Sequence, residues 1–146
     1  MLLALFTALS LLSSAHATVT PCMPVDIAIN KACGTSKGDR DTVDKVIETC
    51  NKYAVLIEDH DRTFGTLAPL CESTGGERLK ACFNDMRKVV DEYNKVAAEV
   101  MKAGIGSGSS ACKDQATQLY GNLKRCAEEG AKTVNEKIQE LDARKK

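Results

Sequence analysis

The chain has 146 residues, with 20 Lys and Arg balancing 20 Asp and Glu, two His and no Trp. A formal charge of zero supplies no long-range field toward nucleic acid or anionic membranes, so neither is expected as a partner. Seven cysteines in so short a chain point instead to a small stapled domain.

From Leu2 to Leu12 the sequence is apolar except for Thr7 and Ser10, and "SSAHA" follows, with Ala15 and Ala17 in the small-x-small arrangement of a signal-peptidase site. The run falls short of the ~20 residues that a membrane span needs, and no charge appears before Asp26. Residues 1–17 are therefore predicted to be a cleaved signal peptide. Residues 18–146 then form one helical, cysteine-rich domain that is secreted and extracellular, and no later segment is long and apolar enough to span a membrane.

Export decides what the cysteines do. Cys22, Cys33, Cys50, Cys71, Cys82, Cys112 and Cys126 all follow the cut, and an oxidising compartment favours bridges between them. Their spacing lacks the close Cys pairs of a zinc knuckle, so no metal or other cofactor is expected. Seven is odd: three bridges leave one thiol, which stays free or links two chains into a dimer.

Helical periodicity comes next. A short helix is predicted around Val25 to Cys33. In "DTVDKVIETCNKYAVLIEDH" the apolar positions Val43, Val46, Ile47, Cys50, Tyr53, Ala54 and Ile57 recur at steps of three and four behind Asp39 or Asp41 as cap. Another short helix is expected around Arg62 to Cys71, where Pro69 intrudes. A long stripe follows through Leu79, Cys82, Phe83, Met86, Val89, Val90, Tyr93, Val96, Ala97, Val100 and Met101, with Thr74 and Glu77 at capping-box spacing before it and Gly104 after it. The last stripe runs Cys112, Ala116, Leu119, Leu123, Cys126, Gly130, Val134, Ile138 and Leu141, behind Ser109 or Ser110. Between these two lies "GIGSGSS", a flexible connector that lets them fold back antiparallel. The expectation is an all-α domain of about five helices, two of them long and antiparallel, stapled by disulfides.

Two arguments bear on the pairing and disagree over Cys50. "NKAC", "LKAC" and "LKRC" end at Cys33, Cys82 and Cys126, each preceded by another cysteine, and a decayed triplication would leave Cys50 odd. A tight turn near His60 and Asp61 would instead place Cys50 beside Cys71, with Cys82 and Cys126 tying the two long helices.

The sequence offers little for catalysis. After the leader one histidine remains, His60 in "IEDHDR", which reads as a solvated helix end. With no Gly-x-Ser-x-Gly elbow, phosphate loop or Cys-x-x-Cys pair, a non-enzymatic role is expected. Two binding roles stand out. One is an effector that acts on a macromolecule through its surface. Its sharpest feature is "TSKGDRD", whose Lys37, Gly38 and Asp39 resemble the tripeptide some disintegrins present to integrins on an extended loop. The other is a carrier holding a small hydrophobic ligand in a helical pocket lined by Phe64, Phe83, Met86 and Tyr93.

Overall fold

The computed structural model describes the backbone of residues 25–144 and the side chains from Ile27 to Arg144. The predicted signal peptide, residues 1–17, and Cys22 lie outside these residues. Four α-helices are present among them rather than five: α1 (Val25–Ala32), α2 (Lys37–Glu72), α3 (Glu77–Val100) and α4 (Ser110–Arg144), with one 3-10 turn, Met101–Ala103, closing α3. The three long helices form an up-down-up bundle, and α1 packs across the N-terminal ends of α2 and α4. No helix among the described residues is long and apolar enough to cross a membrane.

The fifth helix is lost because α2 does not stop at His60. It runs 36 residues, so the expected helices on either side of "EDHDR" are one. Polarity interrupts the apolar stripe there, yet no Gly or Pro stands between Asp39 and Phe64 to break the backbone. Arg62 also pairs with Glu58 at 3.5 Å and Asp59 at 2.9 Å, one turn behind it, which favours the helix locally. Pro69 lies inside the final turns. The hydrogen bond it forfeits would reach Gly65, and both residues are exposed, so water can solvate that carbonyl.

Continuity of α2 also decides the cysteine pairing. Cys50 and Cys71 are separated along one helix by ~30 Å, so they cannot bridge. Cys71 is bonded to Cys82 across the turn between α2 and α3, and Cys33 to Cys112 between the end of α1 and the start of α4. One bridge therefore sits at each end of the bundle. The expected link between Cys82 and Cys126 is also absent. In the α3–α4 hairpin Tyr120 donates to the Gly104 carbonyl at 3.2 Å and Gly130 lies against Tyr93, a register that leaves Cys126 about four turns from Cys82. Because Cys33 and Cys112 belong to different units of the proposed triplication, the fold does not follow that repeat.

Capping differs from expectation at two helices. Ser36, not Asp39 or Asp41, caps α2, its Oγ accepting from the Asp39 N–H at 3.2 Å. Helix α3 begins after Gly76 at φ 62° with no side-chain cap, while Thr74 donates backward to the Leu70 carbonyl at 2.6 Å. At α4 the expectation holds: Ser109 Oγ accepts from the Cys112 N–H at 3.3 Å. Gly104, at φ 71°, leads the chain out of the 3-10 turn as a residue without Cβ can.

Asp39 has a larger task than capping. It is 4% exposed, and its carboxylate accepts from Gly34 N–H at 2.6 Å, Ser109 N–H at 2.7 Å and Ser109 Oγ–H at 3.2 Å. Beside it the fully buried Thr42 hydroxyl meets the carbonyls of Ile105, at 3.0 Å, and Ser107. Thus the connector expected to be flexible is fastened to α2 along its length. Gly108, at φ 136°, admits this approach: a Cβ there would lie 2.5 Å from Asp39 Oδ1. The Ser109 and Gly34 amides, in that order, hold the Asp39 carboxyl below its ordinary value of 3.8. A carboxyl depressed in the folded state contributes stability above its unfolded pKa and loses it as pH falls toward the folded value. Acid titration followed by circular dichroism should accordingly show wild-type stability falling below about pH 4, and a smaller fall over that window in Asp39→Asn. Equal slopes would remove Asp39 from the account of acid stability.

The core follows the stripes. Every residue of the α4 stripe is buried, and so is every residue of the α3 stripe except Met101, 42% exposed beyond the helix end. Cys126 lies in this core at 8% exposure, and burial, then Glu129, push its thiol upward from the ordinary value. A thiol so placed reacts slowly. Iodoacetamide at pH 8 should label Cys126 only after denaturation, as peptide mapping would show; rapid native labelling would mean that α4 opens. Linking two chains through this cysteine would likewise require turning it out of the core.

Candidate functional site

Helices α2 and α3 form an antiparallel hairpin. His60 lies against Tyr93 and Cys71 is bonded to Cys82, two pairs whose residue numbers share one sum, as such a hairpin requires. Along its outer side runs a groove of about 340 Å³, to which α2 contributes His60, Thr63 and Leu67, and α3 contributes Asp85, Lys88, Val89 and Glu92. Each set recurs at steps of three and four, so each is one face of its helix. The floor is mainly apolar, with Val89 4% exposed and Leu67 half-buried against the core.

Behind the His60 end of the groove lies a polar cluster. The Tyr93 ring is 1% exposed, and its hydroxyl donates to Asp61 Oδ1. Burial first, and then Asp61, push the Tyr93 hydroxyl well above the ordinary tyrosine range, so it stays a donor. His60 meets the same ring edge-on, with centroids 5.4 Å apart and an interplanar angle of 74°. Its Nε2 is buried and has no hydrogen-bond partner among the described residues. Unpaired buried groups of this kind cost ~1–3 kcal/mol and are uncommon in native structures.

The rim is charged. Lys88 Nζ lies 3.6 Å from Asp85 Oδ1, which leaves Glu92 as a carboxylate with no ion pair among the described residues. The Thr63 hydroxyl donates to the Asp59 carbonyl at 2.9 Å, so toward a guest its oxygen can only accept. The arrangement can thus accept an apolar body along Leu67 and Val89 and a positive charge at Glu92.

The residues singled out from sequence fall elsewhere. Lys37, Gly38 and Asp39 form no extended loop: they are the first turn of α2, and the Asp39 carboxylate is occupied by three donors within the chain. Phe83, Met86 and Tyr93 are filled core, at 4%, 0% and 1% exposure, and Phe64 is half-buried against the core as a whole. His60, read as a solvated helix end, is in the middle of α2 and half-buried. Leu67, Asp85, Val89 and Glu92 carried no signal as a group, since only the α2–α3 register brings them together.

Fold and groove define the class: an all-α, disulfide-bonded, cysteine-rich helical bundle with an open cleft between two antiparallel helices. No protein-family model matches the chain, and neither does any curated protein or solved structure.

Proposed function

We propose that the protein is an exported, non-enzymatic binding protein of an extracellular fluid or secretory gland that acts on a macromolecular partner through its surface. The observation that carries this reading is where the open space lies. Tyr93, Tyr120, Met86 and Leu123 fill the interior, whereas the grooves, of about 440, 340 and 290 Å³, are open at the surface. A closed chamber for a hydrophobic cargo would need the space those side chains occupy. Bridges at both ends suit a scaffold that must hold its surface in shape outside the cell, where disulfides persist.

The full chain expressed in a secreting eukaryotic cell tests both halves. It should leave the cell beginning at Thr18 with both bridges oxidised, and the labelled product should bind saturably to extracellular surfaces in a protease-sensitive way. Retention inside the cell with Met1 and reduced thiols would overturn the export reading. Protease-insensitive binding, or uptake of a fluorescent lipid probe in its place, would overturn the macromolecular one.

A further inference from the structure

We propose that the α2–α3 groove is a binding site for a small amphiphilic monocation, a molecule with an apolar, preferably aromatic, body and one ammonium group. This does not depend on the macromolecular partner proposed above. The argument rests on size, lining and charge, which converge on one ligand class.

The groove's volume of about 340 Å³ suits a small organic molecule rather than a protein segment. Its long axis runs from His60 and Glu92 to Leu67 and Asp85, seven residues of helix on each side, or ~10 Å. A two-ring aromatic with a two-carbon amine spans about that length. Leu67 and Val89 supply an apolar bed for the body, and the half-buried His60 ring adds an aromatic wall.

Charge selects the sign. The lining carries two carboxylates, Asp85 and Glu92, against one ammonium, Lys88, whose Nζ lies 3.6 Å from Asp85 Oδ1, so its formal charge is negative with the excess at Glu92. On the α2 side Arg62 faces two acids, Glu58 and Asp59, and Asp61 stands behind His60 holding the Tyr93 hydroxyl. On α2 the His60 end therefore carries three carboxylates against Arg62, while on α3 Glu92 stands between Lys88 and Lys95, each one turn away, so the negative excess at this end comes from α2 and Glu92. A dication gains little more, because Asp85 at the far end already has its lysine. The ammonium accordingly sits beside Glu92 and the body lies over Val89 toward Leu67.

Three probes of one shape separate charge from greasiness: naphthylethylamine, naphthylethanol and naphthylacetate, titrated into the oxidised protein at low salt by calorimetry and by backbone amide NMR. The expected order is amine, alcohol, acid, with the amine at least about fivefold tighter than the alcohol. Amide shifts should concentrate in residues 60–67 and 85–92. Glu92→Gln should remove most of the preference for the amine and Glu92→Lys should reverse it. Thr63→Phe, a change at an exposed position, should fill the groove and weaken all three probes. An unchanged circular dichroism spectrum and melting temperature in each variant would show that the bundle is intact. Equal binding of amine and acid, shifts centred elsewhere, indifference to Glu92, or no binding at millimolar amine would each overturn the proposal.

Discussion

Replacing Cys33 and Cys112 together by Ala is expected to lower stability by about 4–5 kcal/mol, against about 3 kcal/mol for Cys71 and Cys82. The difference comes from the unfolded chain. The first bridge closes a loop between residues 79 apart in sequence, the second between residues 11 apart, and the entropy removed by a crosslink grows with the logarithm of that separation. The first bridge also fastens α1, whose eight residues are too few to persist as a free helix. Urea unfolding of the two double variants measures the global effect, and hydrogen exchange at Ile29 to Cys33 the local one. Asp39 sharpens the test. Its carboxylate joins the loop after α1 to the start of α4 beside the same bridge, and Cys112 Sγ lies 3.9 Å from its carbonyl. Combining Asp39→Ala with loss of the Cys33–Cys112 bridge should therefore cost less than the sum of the separate changes, because a detached α1 and connector have few donors left to lose. Equal losses for the two bridges, or strict additivity with Asp39, would refute this account.

The three long stripes were legible because they rest on one periodicity that tertiary packing then uses. Each residue of the α4 stripe is buried, from Cys112 to Leu141. What failed was punctuation. "IEDHDR" interrupts the apolar stripe and reads as the end of a helix, but the helix continues because the polar residues have work to do on α3: Asp61 receives the Tyr93 hydroxyl and His60 meets its ring. The interruption that imitates a turn is one end of the groove. Asp39 misled in the opposite way. Its place after Gly38 resembles a presented loop, and only the connector, 70 residues later in the chain, turns its carboxylate inward. Neither fact is local, so neither could be read from spacing. The pairing of Cys71 with Cys82 became fixed only once the turn was placed at residues 73–76 instead of near His60.

Gly130 on α4 lies directly against the Tyr93 ring of α3, and enlarging it should be among the most damaging single changes. A Cβ built there would lie 2.5 Å from Tyr93 Cε1 and 2.6 Å from Cζ, closer than real contacts allow. The ring cannot easily retreat. Tyr93 is 1% exposed, its hydroxyl is held by Asp61 on α2, and His60 closes its edge. Gly130→Ala gains ~1 kcal/mol of helix propensity but must displace the ring, and overpacking of this kind costs about 1–3 kcal/mol, so a modest net loss is expected. Gly130→Leu gains a similar propensity and adds three more carbons to the same space, so it should abolish the cooperative transition or separate α4 from α3. A companion variant isolates the cause: Tyr93→Leu shortens the ring's reach and should restore tolerance of Ala at 130, at its own cost of losing the Asp61 contact. Thermal unfolding of the four combinations gives the coupling directly. If Gly130→Ala is stabilising in the wild-type background, the ring has room to move and the α3–α4 contact is looser than the geometry requires.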